Sequence, residues 1–369
     1  MKEREEEQME GQMEVHTETE GQTEGRTEGH AQGRAQGRAQ GRTKGRTEPH
    51  AEAQPDGPVE GPAQGPAYDV LVVGSANADL TVRVERRPGA GETVLGTDLV
   101  ESAGGKGANQ AAAAARLGGR TALLARVGGD AFGELLLDAQ RAAGTDTTPV
   151  IVDETARTGT AMIIVSPDGD NSIVVSPGAN AALTPADVAA AKDVIAASAV
   201  VSLQLEIPME SVRAAAAAAE ESGTRVVLNP SPAPEAALAP ELLSAADPLV
   251  VNEHEARQLS GLTDGTPGEW AQALREKGAR SVVVTLGGEG ALVLDGSGVS
   301  EVPGVRVKAV DTTGAGDAFT GALAIRLARG DALPEAARFA VRVGAAAVTK
   351  PGAQPSYPTL DELNALSGA

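Results

Sequence analysis

The sequence predicts an α/β fold, a mostly parallel central sheet between two helical layers, with a small β-sheet lid. Three observations carry this. Continuous apolar runs at Asp69-Val-Leu-Val-Val73, Val200–Leu205 and Ser281–Leu286 have the character of strands buried on both faces. Between them lie alanine-rich helical stretches, the alternation that builds βα units. Leu80-Thr-Val-Arg-Val84 and Thr93–Val100, separated by Pro88-Gly-Ala-Gly91, instead alternate apolar with polar residues, so each has one dry and one wet face and belongs to a separate flap. Thr160–Val165 and Ser172–Val175, joined by a turn around Asp168-Gly-Asp-Asn171, are candidates for the same flap.

Composition bounds the function. With 41% hydrophobic and 2% aromatic residues and a formal net charge of −20, this is an acidic protein with an aliphatic core, and the charge argues against a nucleic-acid partner. There is no cysteine, which excludes disulfides and thiolate metal sites. No stretch approaches the ~18 consecutive apolar residues of a membrane span, and the start, Met-Lys-Glu-Arg-Glu-Glu-Glu, does not read as a signal peptide. A reducing cytoplasm is the expected compartment.

Residues 1–66 stand apart. Glycine recurs every fourth position from Gly21 to Gly45, with Gln, Thr, Glu and Arg between, and the segment holds fourteen acidic and eight basic residues. Such a stretch buries too little apolar surface to offset chain entropy, so a disordered low-complexity extension is expected: an interaction arm or tether, a solvated appendage, or the product of a misassigned start. His16, His30 and His50 lie within it at spacings that match no metal site. The folded domain is expected over residues 67–369, with lid strands at about 80–100 and 160–175 inserted.

Along the domain, the run ending at Val73 meets Gly74-Ser-Ala-Asn-Ala-Asp79. A small-residue turn at the carboxyl end of a parallel strand suits a polar ligand taken by Asn77 and Asp79; an Asx-turn capping its own backbone is an equal alternative. Ala103-Gly-Gly-Lys-Gly-Ala-Asn-Gln110 then leads into an alanine-rich helix. Its glycines let backbone and the Lys106 ammonium close on a ligand, and Asn109 offers both donor and acceptor. Gly107 follows the lysine where a Walker A loop needs Ser or Thr, so polyol recognition is favoured over triphosphate binding. After Val200–Leu205, Glu206 stands where it can take a hydroxyl or complement the following helix.

Farther on, Leu249–Val251 ends in Asn252-Glu-His-Glu255, where Asn252 and Glu255 can serve as a helix cap. His254 reads as a surface residue. Gly287-Gly-Glu-Gly290 follows the strand ending at Leu286 and allows close approach of an anionic or flat ligand, and a hairpin of Ala291–Leu294 with Gly298–Val302 comes next. Val305–Val310 reads as a strand that stops at Asp311-Thr-Thr-Gly-Ala-Gly-Asp317, and from Ala315 the spacing of Phe319, Leu323 and Leu327 is helical. Successive amides of Gly314, Ala315 and Gly316 at a helix start form an anion site. Asp317 would repel an anion there unless it has a task, and removing the proton of an attacking hydroxyl is one; offsetting the helix dipole is the plainer alternative. A helix over Pro334–Val348 leads to Thr349-Lys-Pro-Gly-Ala-Gln-Pro-Ser356, which on its residues alone is a Pro/Gly-rich loop.

The ten residues Val310-Asp-Thr-Thr-Gly-Ala-Gly-Asp-Ala-Phe319 resemble the signature of the PfkB-type carbohydrate kinases of the ribokinase-like superfamily. Asn77-Ala-Asp79 with Gly104-Gly-Lys-Gly-Ala-Asn109 is similar to the sugar-binding half of its ribokinase family, and Gly352-Ala-Gln-Pro-Ser356 to that family's monovalent-cation loop. The resemblance covers Tyr68 to the C-terminus and leaves out the extension. It implies a ribokinase-like three-layer α/β/α sandwich whose lid also forms a homodimer, and transfer of the ATP γ-phosphoryl group to the 5-hydroxyl of D-ribose, a step of ribose catabolism. By the same resemblance Asp317 is the general base, and Gly314, Ala315 and Gly316 are the anion hole. Sugar contacts fall on Asn77, Ala78, Asp79, Gly105, Lys106, Gly107, Ala108, Asn109, Glu206 and Asp317. Nucleotide contacts fall on Asn252, Thr285, Leu286, Gly287, Gly288, Glu289, Gly290, Gly316 and Asp317. Asn252 and Glu255 organise Mg²⁺ and phosphates, mostly through water. Asp311, Thr313, Ala347, Lys350, Gly352 and Ser356 hold K⁺, mostly through carbonyls. Alternatives within the resemblance are a kinase of deoxyribose, a ketose or a nucleoside, and a non-catalytic sugar-sensing relative.

Overall fold

The structure, a computed structural model, describes residues 65–167 and 171–366. The low-complexity extension and the tip of the Asp168 turn lie outside the described residues. In chain order the elements are β1 (Tyr68–Val73), β2 (Asn77–Arg83), β3 (Val100–Gly104), α1 (Lys106–Arg116), β4 (Thr121–Leu124), β5 (Arg126–Gly128), α2 (Ala131–Ala143), β6 (Ile151–Asp153), β7 (Gly159–Val165) and β8 (Asn171–Ser176). Then come α3 (Pro185–Ala190), α4 (Lys192–Ala196), β9 (Ser198–Leu203), α5 (Met209–Ser222), β10 (Arg225–Leu228), α6 (Pro240–Ala245), β11 (Ala246–Asn252), α7 (Glu253–Ser260) and α8 (Pro267–Glu276). The chain closes with β12 (Val282–Thr285), β13 (Gly290–Asp295), β14 (Gly298–Pro303), α9 (Ala315–Ala328), α10 (Leu333–Ala347) and α11 (Leu360–Leu366).

The central sheet has the order β14-β13-β12-β11-β10-β9-β1-β4, parallel except for the β13–β14 hairpin at one edge. The middles of its inner strands are apolar on alternate and successive positions alike, as in Val70–Val73 and Leu249–Val251, because both faces are covered. Val70 and Val72 pack into one core with α1, α9 and α10, while Leu71 and Val73 pack into the other with α3 to α8. This is the mostly parallel three-layer α/β arrangement expected. Alanine and glycine make the first core thin: a Cβ on Gly321 of α9 would lie 2.5 Å from the Gln110 carbonyl of α1. The two helices that carry the candidate sugar and catalytic residues therefore touch backbone to backbone.

The lid is a separate sheet of order β3-β2-β7-β8, in which β2 runs antiparallel to β3 and parallel to β7. Three expectations need correction. Asn77-Ala-Asp79 is the start of lid strand β2, paired with Gly104–Ser102 and Gly159–Ala161, rather than a turn. Residues 93–99 form no strand; they contribute one bridge, Gly96 to Val84, and Leu95 is left almost wholly in solvent, so β3 begins only at Val100. Val305–Val310 is not a strand either. Its exposed Val305 and Val307 line a cavity, and that duty, rather than a sheet face, accounts for the apolar spacing.

Candidate active site

At the carboxyl end of the sheet the chain comes back from the β14 hairpin and opens α9. Gly314 is the N-cap residue with φ 70°, a left-handed conformation that favours glycine, and its carbonyl accepts from Tyr357 Oη at 3.0 Å. Of the three amides expected to form an anion hole, Ala315 N–H already donates to the Thr312 carbonyl at 3.2 Å. The N–H groups of Gly314, Gly316 and Asp317 have no hydrogen-bond partner among the described residues, so Asp317 takes the place of Ala315 among the free donors.

Asp317 is buried on the first turn of α9 with both oxygens held. Asn109 Nδ2 donates to Oδ2 at 3.0 Å, and Gln110 Nε2 donates to Oδ1 at 3.3 Å. Burial raises its pKa above the usual carboxylate range. The Lys106 ammonium and the bonds from Asn109 and Gln110 oppose that rise, and the Glu206 charge adds to it. A carboxylate in that state takes a proton more readily than an exposed one, as a general base should. Lys106 itself stays firmly charged: burial would lower its pKa, but the charges of Asp317, Glu206 and Glu255 outweigh it.

The glycine loop works by close approach. A Cβ on Gly105, whose φ is 87°, would sit 2.6 Å from Asn77 N, and one on Gly107 would sit 2.6 Å from Ser75 N. The loop thus lies flush on the Gly74–Asn77 segment, and Gly104, just before it, packs on the Asp79 side chain of the lid. Glu206 does not use its hydrogen bonds for one of the two roles weighed for it, complementing the helix that follows. It accepts from Ser75 Oγ at 2.6 Å and from Lys106 N at 3.1 Å, so it caps α1, which has no local side-chain cap, rather than α5.

Burial, with the charges of Glu206 and Asp317, pushes Asp79 up to about 7. If the ionised form of Asp79 accepts from a sugar hydroxyl, affinity is weak below that value, rises through it and levels off above it. Calorimetric titration of the sugar from pH 5.5 to 8.5 reads this; an affinity independent of pH would remove Asp79 from sugar binding.

Two cavities meet at the start of α9. The larger, about 550 Å³, is lined by Thr285, Gly287, Gly288, Gly290, Val305 and Val307 among others, and has the size and apolar walls of a nucleotide site. Leu286 and Glu289 instead shape its rim through backbone bonds, Leu286 N to the Gly290 carbonyl and Gly304 N to the Glu289 carbonyl. The smaller, about 220 Å³, is lined by Lys106, Asn229, Asn252, Glu255, Gly316 and Asp317 among others. Thr285, Thr312, Ala315 and Gly316 border both. Asn252 and Glu255 form a reciprocal capping box on α7, at 2.8 and 2.9 Å, and still face the smaller cavity. His254 is exposed, as expected.

Beside the turn that opens α9, Asp311 Oδ2 accepts from Gly352 N at 2.8 Å, and Oδ1 accepts from Thr313 N at 2.9 Å and Thr313 Oγ1 at 2.7 Å. Burial would raise the Asp311 pKa, but these bonds outweigh it and hold it low. Ala347 O receives Lys350 N, Ser356 Oγ donates to the Ala353 carbonyl, and Lys350 Nζ turns away to Glu362.

Several residues were invisible to sequence reasoning. Asn180 fixes Asn77 by donating to its Oδ1 at 2.7 Å and bonds both polar atoms of the Ala76 backbone. Gln110 receives Ser202 Oγ at 2.8 Å and Gln204 Nε2 at 2.7 Å on its Oε1. Gln354 and Tyr357 reach the site from beyond α10. The only signal for Gln110 and Gln354 was their place inside the two motifs.

A cavity with room for a nucleotide, meeting at a helix start a smaller one that a buried carboxylate and a lysine line, has the make-up of a small-molecule phosphotransferase site. The family model of pfkB family carbohydrate kinases matches residues 67–360, and the chain belongs to that family. It is 39% identical over 294 residues to the ribokinase of Haemophilus influenzae, covering 79% of this chain and 95% of that one. It is 36% identical over 299 residues to the deoxyribokinase of Salmonella typhi, covering 80% and 97%. The structure of Arabidopsis thaliana ribokinase complexed with ribose and ATP superposes with a TM-score of 0.75 at 33% identity, over 82% of this chain and 99% of that one. The protein is thus a ribokinase-like sugar kinase with a nucleotide cosubstrate. No helix among the described residues is long and apolar enough to cross a membrane.

Proposed function

We propose that the protein is an ATP-dependent kinase of D-ribose that phosphorylates the 5-hydroxyl, with Asp317 as general base. The observation that carries the reading is the Asp317 carboxylate, buried and held by Asn109 and Gln110 while unpaired amides of Gly314, Gly316 and Asp317 lie beside it. Asp317 takes the hydroxyl proton as the sugar oxygen attacks the γ-phosphorus, and the free amides hold the charge that develops on the transferred group. Lys106 balances the carboxylates around the reacting atoms. Asn77, Asp79, Asn109 and Glu206 orient the pentose, and Gly105 to Ala108 supply the backbone that wraps it.

Among the described residues no three His, Asp or Glu side chains gather as a metal cage. That donor set fits Mg²⁺ held mainly by phosphates and water, with Asn252 and Glu255 binding its water shell; the ion would neutralise phosphate charge. The loop at Asp311 also fits K⁺. The carbonyls of Thr313, Lys350 and Gly352 accept no hydrogen bond among the described residues, which leaves hard oxygens beside an ionised Asp311. Ala347 and Ser356 would complete the set. The lid further supports a homodimer, because Ile173, Val174 and Val175 on its edge strand β8 are exposed.

Deoxyribose is the second reading, favoured by the likeness to a deoxyribokinase. A panel of ribose, deoxyribose, fructose and a nucleoside, run with ADP detection in K⁺ and again in Na⁺, decides both points. Ribose is expected to be turned over best, and faster in K⁺. A preference for another acceptor overturns the substrate, equal rates in the two salts overturn the cation site, and a light-scattering mass of one chain overturns the dimer.

A further inference from the structure

Asp317 and Asn109 belong to a longer polar chain. Gln354 Nε2 donates to Asn109 Oδ1 at 3.0 Å, across 245 residues of sequence, and Gln140 Nε2 donates to Gln354 Oε1 at 3.3 Å and to the Ala108 carbonyl at 2.9 Å. Gln140, Asn109 and Gln354 are all buried. A carboxamide can present either its oxygen or its nitrogen, so Asn109 alone does not fix which atom faces Asp317. The chain does. The Ala108 carbonyl only accepts, so Gln140 turns its nitrogen inward. Gln354 must then offer oxygen to Gln140 and nitrogen to Asn109, which leaves Asn109 with oxygen toward Gln354 and nitrogen toward the carboxylate.

We infer that Gln354 is a positioning residue for the catalytic base: it sets the orientation of Asn109, and Asn109 in turn holds Asp317 Oδ2 in its ionised, correctly aimed state. The inference rests on the assignment of Asp317 as base. It also gives the loop of residues 349–356 a direct line to the reacting carboxylate, separate from the backbone bond of Gly352 to Asp311. Asn109 keeps one N–H and one lone pair free, enough for a sugar hydroxyl at the same time. The other ionisable groups facing Asp317 are Lys106, Glu206, Asp79 and Tyr357. Of these only Tyr357 bonds Gln354, and it does so through its backbone N–H to the Gln354 carbonyl at 3.3 Å, a bond that a change of side chain leaves in place, so the side chain of Gln354 reaches Asp317 through Asn109.

The test is Gln354→Met, which keeps bulk and removes the donor. Without its partner Asn109 can turn, the bond to ionised Asp317 weakens, and the Asp317 pKa rises. The kcat is expected to fall about tenfold at pH 7 and its acidic limb to move up by roughly half to one pH unit, with the nucleotide KM unchanged. In an Asn109→Ala background, Gln354→Met is expected to add nothing further, because the link is already cut. An unshifted limb in Gln354→Met, or a loss of kcat that recurs in full in the Asn109→Ala background, overturns the proposal. If Gln354→Met does not accumulate as folded protein, Gln140→Met removes the outer donor and is read against the same criteria, with a smaller shift in the same direction. Asp317→Asn in the same series separates two failures: if it turns over normally the base assignment falls, whereas an inactive Asp317→Asn beside an unshifted Gln354→Met sinks the positioning role alone.

Discussion

Asp317→Asn is expected to lower kcat by ~10²–10⁴ while the sugar still binds. The substitution keeps the shape of the side chain and removes its basicity, so the attacking hydroxyl keeps its proton until the phosphoryl group has largely transferred. It also replaces one acceptor by an NH₂ group. Both partners of Asp317 are donors, so one of them must face a donor in the variant, and the 3.3 Å contact from Gln110 is the weaker of the two. Losing it costs about 1 kcal/mol of stability, too little to unfold the domain. ADP release with ribose, compared with ribose affinity by calorimetry, separates the effects. Turnover within a few-fold of the parent would leave Asp317 as a carboxylate that merely complements its helix.

Gly314→Ala is expected to impair both stability and turnover. At φ 70° a side chain costs ~1 kcal/mol or more. The new Cβ would also run into the Tyr357 hydroxyl, which holds the Gly314 carbonyl, and would come within 2.8 Å of Ala353 Cβ. Overpacking of that kind adds about 1–3 kcal/mol. Relief requires the turn to move, and the turn carries the free amides proposed to receive the phosphoryl charge, so kcat is expected to fall by roughly 10²-fold. Gly316→Ala is the matched control: nothing lies within 4 Å of its Cβ, so it should melt like the parent even though the methyl group enters the chamber. Thermal unfolding of the two variants reads the difference, and equal melting of Gly314→Ala and the parent would contradict the role given to this turn.

The central sheet was legible because parallel strands covered on both faces leave an unbroken apolar record, as Leu71 and Val73 facing one core and Val70 and Val72 the other demonstrate. Helix α9 was legible from the helical spacing of Phe319, Leu323 and Leu327. The failures share a cause: apolar spacing reports burial or a ligand wall without saying which. Val305 and Val307 line the larger cavity and mimic a strand, whereas polar Asn77 and Asp79 hid the start of β2, whose pairing with β7 joins segments some 80 residues apart. Within the site, Asp317, Lys106 and Asp79 stood out as candidates from motif and charge. The amide partners could not. Gln110, Gln354 and Asn180 act through bonds spanning more than 90 residues, and a buried carboxamide carries no local pattern that announces its partner.

The measurement closest to the central claim is a structure of the protein with D-ribose and a non-hydrolysable ATP analogue. The account predicts the ribose 5-hydroxyl oxygen within about 3 Å of the Asp317 carboxylate and the terminal phosphoryl group facing the amides of Gly314, Gly316 and Asp317. A pentose seated with that hydroxyl turned away from Asp317, toward Glu206 or the lid, would contradict it.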